Sequence, residues 1–224
     1  MNTVFTPIDH RGDPRLVPPY LQLPPTHDGC QECTIATSLQ WIHQFGKWEP
    51  GRFYGHSRAF LSRLAAEFIR KPGNRYMDIV DGVMEVGTTP EWKYPTCKEN
   101  GNHKPLPDAV RQGAIKVLTA ISQVLDPTIL PGYLQEGNLI DVRLPWYEQF
   151  KDPGSDGIVR SLPSSGGTYH FVNFVGLVPK GRRKELHYVF DPHRGTDYGD
   201  HGYGYVNKRW FEQIADKCLF YVLH

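Results

Sequence analysis

Asp28-Gly29-Cys30-Gln31-Glu32-Cys33-Thr34 runs directly into Ile35-Ala-Thr-Ser-Leu-Gln-Trp-Ile-His-Gln-Phe45. Ile35, Leu39, Ile42 and Phe45 recur at helical spacing, so residues 34–45 read as an amphipathic helix with one apolar face, ended at Gly46. Cys33 then stands at the helix start, just behind the turn-prone Asp28-Gly29. Two physical effects activate a thiol there. Backbone N–H groups and the helix dipole favour the thiolate, and the same amides can later hold an oxyanion. On position alone, the alternative is a small apolar residue at a helix start.

Outward from this stretch the chain divides by pattern. Residues 1–29 lack periodicity and carry Pro14, Pro18, Pro19, Pro24 and Pro25, an extended arm. Phe60, Leu61, Leu64, Ala65 and Phe68 form the stripe of a second helix over 57–70, capped by Ser57 and stopped by Pro72-Gly73. A third helix is expected over 77–86, closed by Gly87, and a fourth over 107–125, ended by Pro127. From there strands take over: 138–144, then Tyr169-His-Phe-Val-Asn-Phe-Val-Gly-Leu-Val178, a turn at Gly181-Arg-Arg-Lys184, its hairpin partner 185–191, and 203–206 and 219–223. Helices first and strands second is α+β with segregated halves. The expected organisation is one domain: arm 1–29, a mainly helical lobe of about 30–127 and a mainly β lobe of about 128–224, with a site in a cleft between the lobes.

Bulk properties exclude several classes. The 224 residues are 39% hydrophobic and 22% charged, with a net charge of +1. Lys and Arg are spread along the chain, which gives no reason to expect nucleic acid or an anionic membrane as partner. No apolar run approaches the roughly 20 residues that span a bilayer. The N-terminus has no basic start followed by an apolar stretch, so no signal peptide is read. The expected compartment is the cytoplasm, or the outside after export without a cleavable signal. Four cysteines are too few for a disulfide scaffold. A monomer is the expectation.

A thiolate needs a base. His170 follows Ser164-Ser-Gly-Gly-Thr168, whose glycines let another backbone approach closely, and the apolar strand after it holds the imidazole rigidly. Asp191 ends the next strand of the hairpin. It is expected to accept a hydrogen bond from His170, which would fix its tautomer and stabilise the imidazolium. Two rival readings of Cys30-x-x-Cys33 are weaker. A redox pair should follow a strand of a βαβ unit, and a proline-rich arm precedes this one. Zinc needs a second close pair of ligands, whereas Cys97 and His103 are six apart and Cys218 stands alone. Neither metal nor cofactor is expected.

Five segments, in order, resemble the papain family of cysteine peptidases. Asp28-Gly-Cys-Gln-Glu-Cys-Thr34 is similar to the family's Gly-x-Cys-Gly-Ser-Cys-Trp, with Cys33 on the nucleophile. His56-Ser-Arg-Ala-Phe-Leu61 is similar to Leu-Ser-x-x-Phe-Leu. Gly87-Thr-Thr-Pro-Glu-Trp-Lys-Tyr-Pro95 is similar to Gly-Ile-x-x-Glu-x-x-Tyr-Pro-Tyr. Gly166-Gly-Thr-Tyr-His170 matches the glycine-rich approach to the catalytic histidine. Asp191-Pro-His-Arg-Gly-Thr-Asp-Tyr-Gly-Asp-His-Gly-Tyr203 resembles Asn-Ser-Trp-Gly-x-x-Trp-Gly-x-x-Gly-Tyr with one residue inserted.

The resemblance implies a papain-like α+β fold, with an N-terminal helical lobe and a C-terminal antiparallel β-sheet or barrel lobe. It also implies hydrolysis of peptide bonds in a protein or peptide substrate, through a thioester, by a Cys33–His170–Asp191 triad. Amidase, deamidase or acyl-transferase chemistry on the same fold, or an inactive peptide-binding module, are the alternatives. The family's oxyanion-hole glutamine falls at His27, with Gln31 as the other candidate donor beside the Cys33 N–H. The family pairs the cysteine at the Cys30 position with one in the helical lobe, for which Cys97 is the candidate. Its asparagine is Asp191 here. Its shielding tryptophan is absent, with His193 and Arg194 in that neighbourhood. No inhibitory pro-segment is expected ahead of the arm. Trp92, Trp146, Tyr147 and Tyr198 are candidate cleft walls, and Cys218 a buried free thiol.

Overall fold

A computed structural model describes residues 6–16, 29–43, 55–68, 74–95, 106–161 and 167–224. These fall into two compact units, one holding residues 6–13 and 123–222, the other the described residues between 14 and 122 with 223–224.

The second unit is helical: α1 (Cys30–Ile42), α2 (Arg58–Glu67), α3 (Arg75–Val86) and the short α4 (Asp108–Gln112). The first helix begins at Cys30, four residues ahead of the periodic stretch, and it is buried nearly all round rather than along one face. Several of its buried polar positions are short (Thr34, Thr37, Ser38) or paired (Glu32), which lets neighbours cover those sides. Ser57 caps α2 as expected, its Oγ accepting from the Phe60 N–H at 3.0 Å. Gly87 closes α3 at φ 101°.

The helix expected over 107–125 stops at Gln112. Beyond it the chain is extended: the Ile115 and Thr88 backbones exchange hydrogen bonds of 2.7 and 2.9 Å, and Thr119 N–H donates to the His224 carbonyl. Ile115, Val117 and Ile121 are β-branched, and backbone partners on two sides outweigh an approximate helical spacing.

The first unit is built on an eight-stranded sheet in the order β2-β8-β3-β5-β6-β7-β4, with β1 on β5. The strands are β1 (Ile8–Asp9), β2 (Ile121–Val124), β3 (Ile140–Trp146), β4 (Ile158–Val159), β5 (Thr168–Lys180), β6 (Glu185–Asp191), β7 (Gly204–Asn207) and β8 (Leu219–Leu223). Residues 185–191 and 219–223 are strands as read from the sequence. The sheet is not wholly antiparallel, since β4 runs parallel to β7. Short helices α5 (Leu130–Gln135), α6 (Glu148–Lys151) and α7 (Lys208–Phe211) accompany the strands. One apolar core joins Leu130, Leu144, Phe150, Phe174, Phe190 and Phe211. Burying each such side chain contributes about 1.5–3 kcal/mol.

The arm is not wholly irregular. Ile8 pairs with Leu177 and Asp9 with Gly176. A Cβ on Gly176 would lie 2.6 Å from the Ile8 carbonyl oxygen, so only glycine lets β1 dock here. The β5–β6 ladder shifts register at this point, between Phe174 and Gly176.

Candidate active site

The two halves of the expected triad lie in different units. Cys33 is the fourth residue of α1 and 2% exposed. Its N–H donates to the Gly29 carbonyl at 3.0 Å. That corrects the expectation of a thiol at the very helix start: one full turn in, the amide belongs to the helix and is not available to an oxyanion. Burial pushes the thiol up to about 12, and Glu32 and Cys30 push the same way. The Arg58 guanidinium opposes them by its charge and a hydrogen bond to the thiol. Arg58 is the first residue of α2, anchored through its own N–H to Glu91 Oε2 at 3.3 Å.

Gln31 and Cys33 leave the helix about 200° apart, so Gln31 does not share the thiol's face. The Gln31 Oε1 is buried without a hydrogen-bond partner. Glu32 is buried and accepts from Arg75 Nε at 3.0 Å, while Arg75 Nη2 also donates to Ser62 Oγ at 2.9 Å. One guanidinium thus ties α1, α2 and α3 together. His27 and Cys97 lie outside the described residues, and with them the Cys30–Cys97 pairing.

His170 is in β5, 6% exposed. Gly167 (φ +110°) leads into it. A Cβ there would lie 2.9 Å from the Trp146 carbonyl oxygen, so the expected close backbone approach is real and the partner is the end of β3. Leu144 lies opposite His170, which makes Trp146 its diagonal neighbour on the same face. The Trp146 and His170 rings are 4.5 Å apart. A tryptophan of β3, outside the segment after Asp191, thus packs on the His170 ring. Phe150 stacks on Trp146 at 5.3 Å. Tyr147 and Tyr198 are buried core residues, the Tyr198 hydroxyl donating to the Phe150 carbonyl at 2.6 Å. Trp92 is exposed. Cys218 is buried, its Sγ donating to the Ile214 carbonyl at 3.3 Å.

His170 Nε2 lies 3.0 Å from the Pro192 carbonyl oxygen. A carbonyl only accepts, so Nε2 carries the proton and Nδ1 keeps the lone pair. Burial pushes the imidazole down to about 3; the Pro192 carbonyl pulls it back up, and His193 and Arg194 press it down. The expected hydrogen bond from His170 to Asp191 is not made. Asp191 lies opposite Asn173, an odd three residues from His170, so its side chain starts from the other face of the sheet. Its Oδ1 accepts from the His193 N–H at 2.7 Å, and its Oδ2 is 3.5 Å from His193 Nδ1. Asn173 in turn donates to Asp141 Oδ1 at 2.8 Å.

Among the described residues no group of three or more His, Cys, Asp or Glu side chains is arranged to hold a metal ion. None of their helices is long and apolar enough to cross a membrane.

No family model and no curated protein matches the chain. Solved structures do. The digestive procathepsin L 3 of the Tenebrio molitor larval midgut is 11% identical, with a TM-score of 0.73 over 98% of this chain and 69% of that one. A structure from a study of the mite allergens Blo t 1 and Der p 1 is 14% identical, with a TM-score of 0.75 over 100% of this chain and 73% of its own. The proform of the ragweed pollen cysteine protease Amb a 11 is 14% identical, with a TM-score of 0.74 over 100% of this chain and 67% of its own.

Proposed function

The chain has the α+β fold of papain-like cysteine proteases, and we propose that it works as one, cleaving peptide bonds in protein or peptide substrates. The observation that supports this reading most is the state of His170. It is buried under Trp146 with Nε2–H committed to a carbonyl, which leaves Nδ1 as the atom to take a proton. Cys33 Sγ gives its proton to His170 Nδ1 and attacks the amide carbon. His170 returns the proton to the leaving amine, and water hydrolyses the thioester. Arg58 supports the thiolate. His27, six residues before Cys33, is the donor assigned to the oxyanion, because Gln31 leaves α1 on another face.

One observation favours a second reading, a module that holds a peptide without cutting it: Cys33 is almost wholly buried, with its thiol high. Labelling with an epoxide cysteine-protease probe near neutral pH, read by peptide mass spectrometry, separates the two. Fast labelling confined to Cys33 and lost in H170A is the expected result. Slow labelling spread over Cys30, Cys33 and Cys218, indifferent to His170, would leave the binding module.

A further inference from the structure

The acid that the motif order assigns to the triad does not touch the histidine, yet it is not idle. Asp191, Pro192, His193 and His170 are all buried. The Pro192–His193 peptide is engaged at both ends. Its N–H donates to Asp191 Oδ1 at 2.7 Å, and its C=O accepts from His170 Nε2 at 3.0 Å. We infer that Asp191 is a positioning residue that serves His170 through this one peptide group, the carboxylate holding the N–H and the carbonyl of the same peptide holding the imidazole.

Three physical points carry the inference. The peptide is trans, so its N–H and C=O point in opposite directions and a single planar unit can bridge the carboxylate and the ring. The bond to a carboxylate is charge-assisted, and chained hydrogen bonds polarise each other, which makes the carbonyl a better acceptor. The turn is also held where a side chain seldom sits. Pro192 fixes one φ, and His193 adopts φ 57°, in the left-handed region that a non-glycine residue enters at a cost. The bond from the residue two before is the Asx-turn that stabilises such a conformation. The parity of the strand keeps the carboxylate off the ring, and the peptide conveys its effect.

The inference rests on His170 being the base, but its first readout does not. Imidazole 15N NMR of His170 in wild type, D191N and D191A reports the tautomer, and the pH profile of Cys33 alkylation, with H170A as reference, reports the base. Asparagine keeps an oxygen for the His193 N–H. D191N should therefore retain the Nε2–H tautomer and an alkylation rate within about threefold of wild type. D191A should show mixed tautomers and alkylation slower by about tenfold or more. Equal loss in D191N and D191A would overturn the inference, since charge acting directly would then be what matters. So would a wild-type tautomer in D191A. Should D191A fail to fold, D191N decides alone, by keeping or losing the tautomer. An alkylation rate that H170A leaves unchanged would defeat the base reading instead, with the tautomers still deciding this one.

Discussion

Arg58 opens α2 and its guanidinium reaches the Cys33 thiol. A cation beside a buried thiol favours the thiolate, and here it works against burial, which pushes the thiol up. R58Q should raise the thiol further and slow Cys33 alkylation at neutral pH by about tenfold for each pH unit gained, with R58K in between. The pH dependence of iodoacetamide labelling measures it, and superimposable profiles would remove Arg58 from the thiol's surroundings. Arg58 lies within the segment His56–Leu61, but nothing in linear spacing says that the first turn of one helix meets the fourth residue of another. Asp191 fails to reach His170 for a subtler reason. Counting back from the hairpin, where Lys180 faces Glu185 and Gly176 faces Val189, would set Asp191 opposite Phe174, on the histidine's own face. The shift between Phe174 and Gly176 sets it opposite Asn173 instead. One extra residue inverts the face, and periodicity cannot show where a bulge falls.

Elements were legible where the chain's own pattern suffices. The hairpin of β5 and β6 follows from apolar runs around Gly181, and α2 from its stripe and the Ser57 cap. They were illegible where partners decide. The stretch after Gln112 is extended because Thr88 and His224 take its backbone hydrogen bonds, and Ile8–Asp9 is a strand because β5 offers an edge at Gly176. That edge is a weak point by design of the backbone. In G176A the new methyl would meet the Ile8 carbonyl oxygen at 2.6 Å. The substitution should release β1 with little effect on β6. Hydrogen exchange checks it: the His10 amide, bonded to the Val175 carbonyl, should lose protection by at least about tenfold, equivalent to ~1.4 kcal/mol of local stability. Wild-type protection there would mean that β1 is held by its side chains instead.

Each unit holds a histidine and a thiol whose charged forms burial disfavours: His56 and Cys33 in the helical unit, His170 and Cys218 in the sheet unit. Burial lowers both imidazoles from 6.5 to about 3 and raises both thiols from 9.0 to about 12. Below pH 6.5 the unfolded histidines bind protons that the folded ones do not, so stability falls with acid. Above pH 9 the unfolded thiols release protons that the folded ones keep, so stability falls again with base. Urea midpoints should be level between those limits and drop outside them, by up to about 1.4 kcal/mol per pH unit for each group. H56Q and H170Q should flatten the acid side; an acid side as steep as wild type in both would assign the loss to other groups. The two units also differ in how they are threaded. Residues between 29 and 122 contribute to one, whereas β1 belongs with residues 123–222. On a ribosome adding about 5–20 residues per second, Ile8 and Asp9 emerge on the order of ten seconds before Leu177 and Gly176 exist to receive them. Most of the helical unit is synthesised in that interval, so β1 waits for its place, and its docking closes a loop that runs from Asp9 to Gly176.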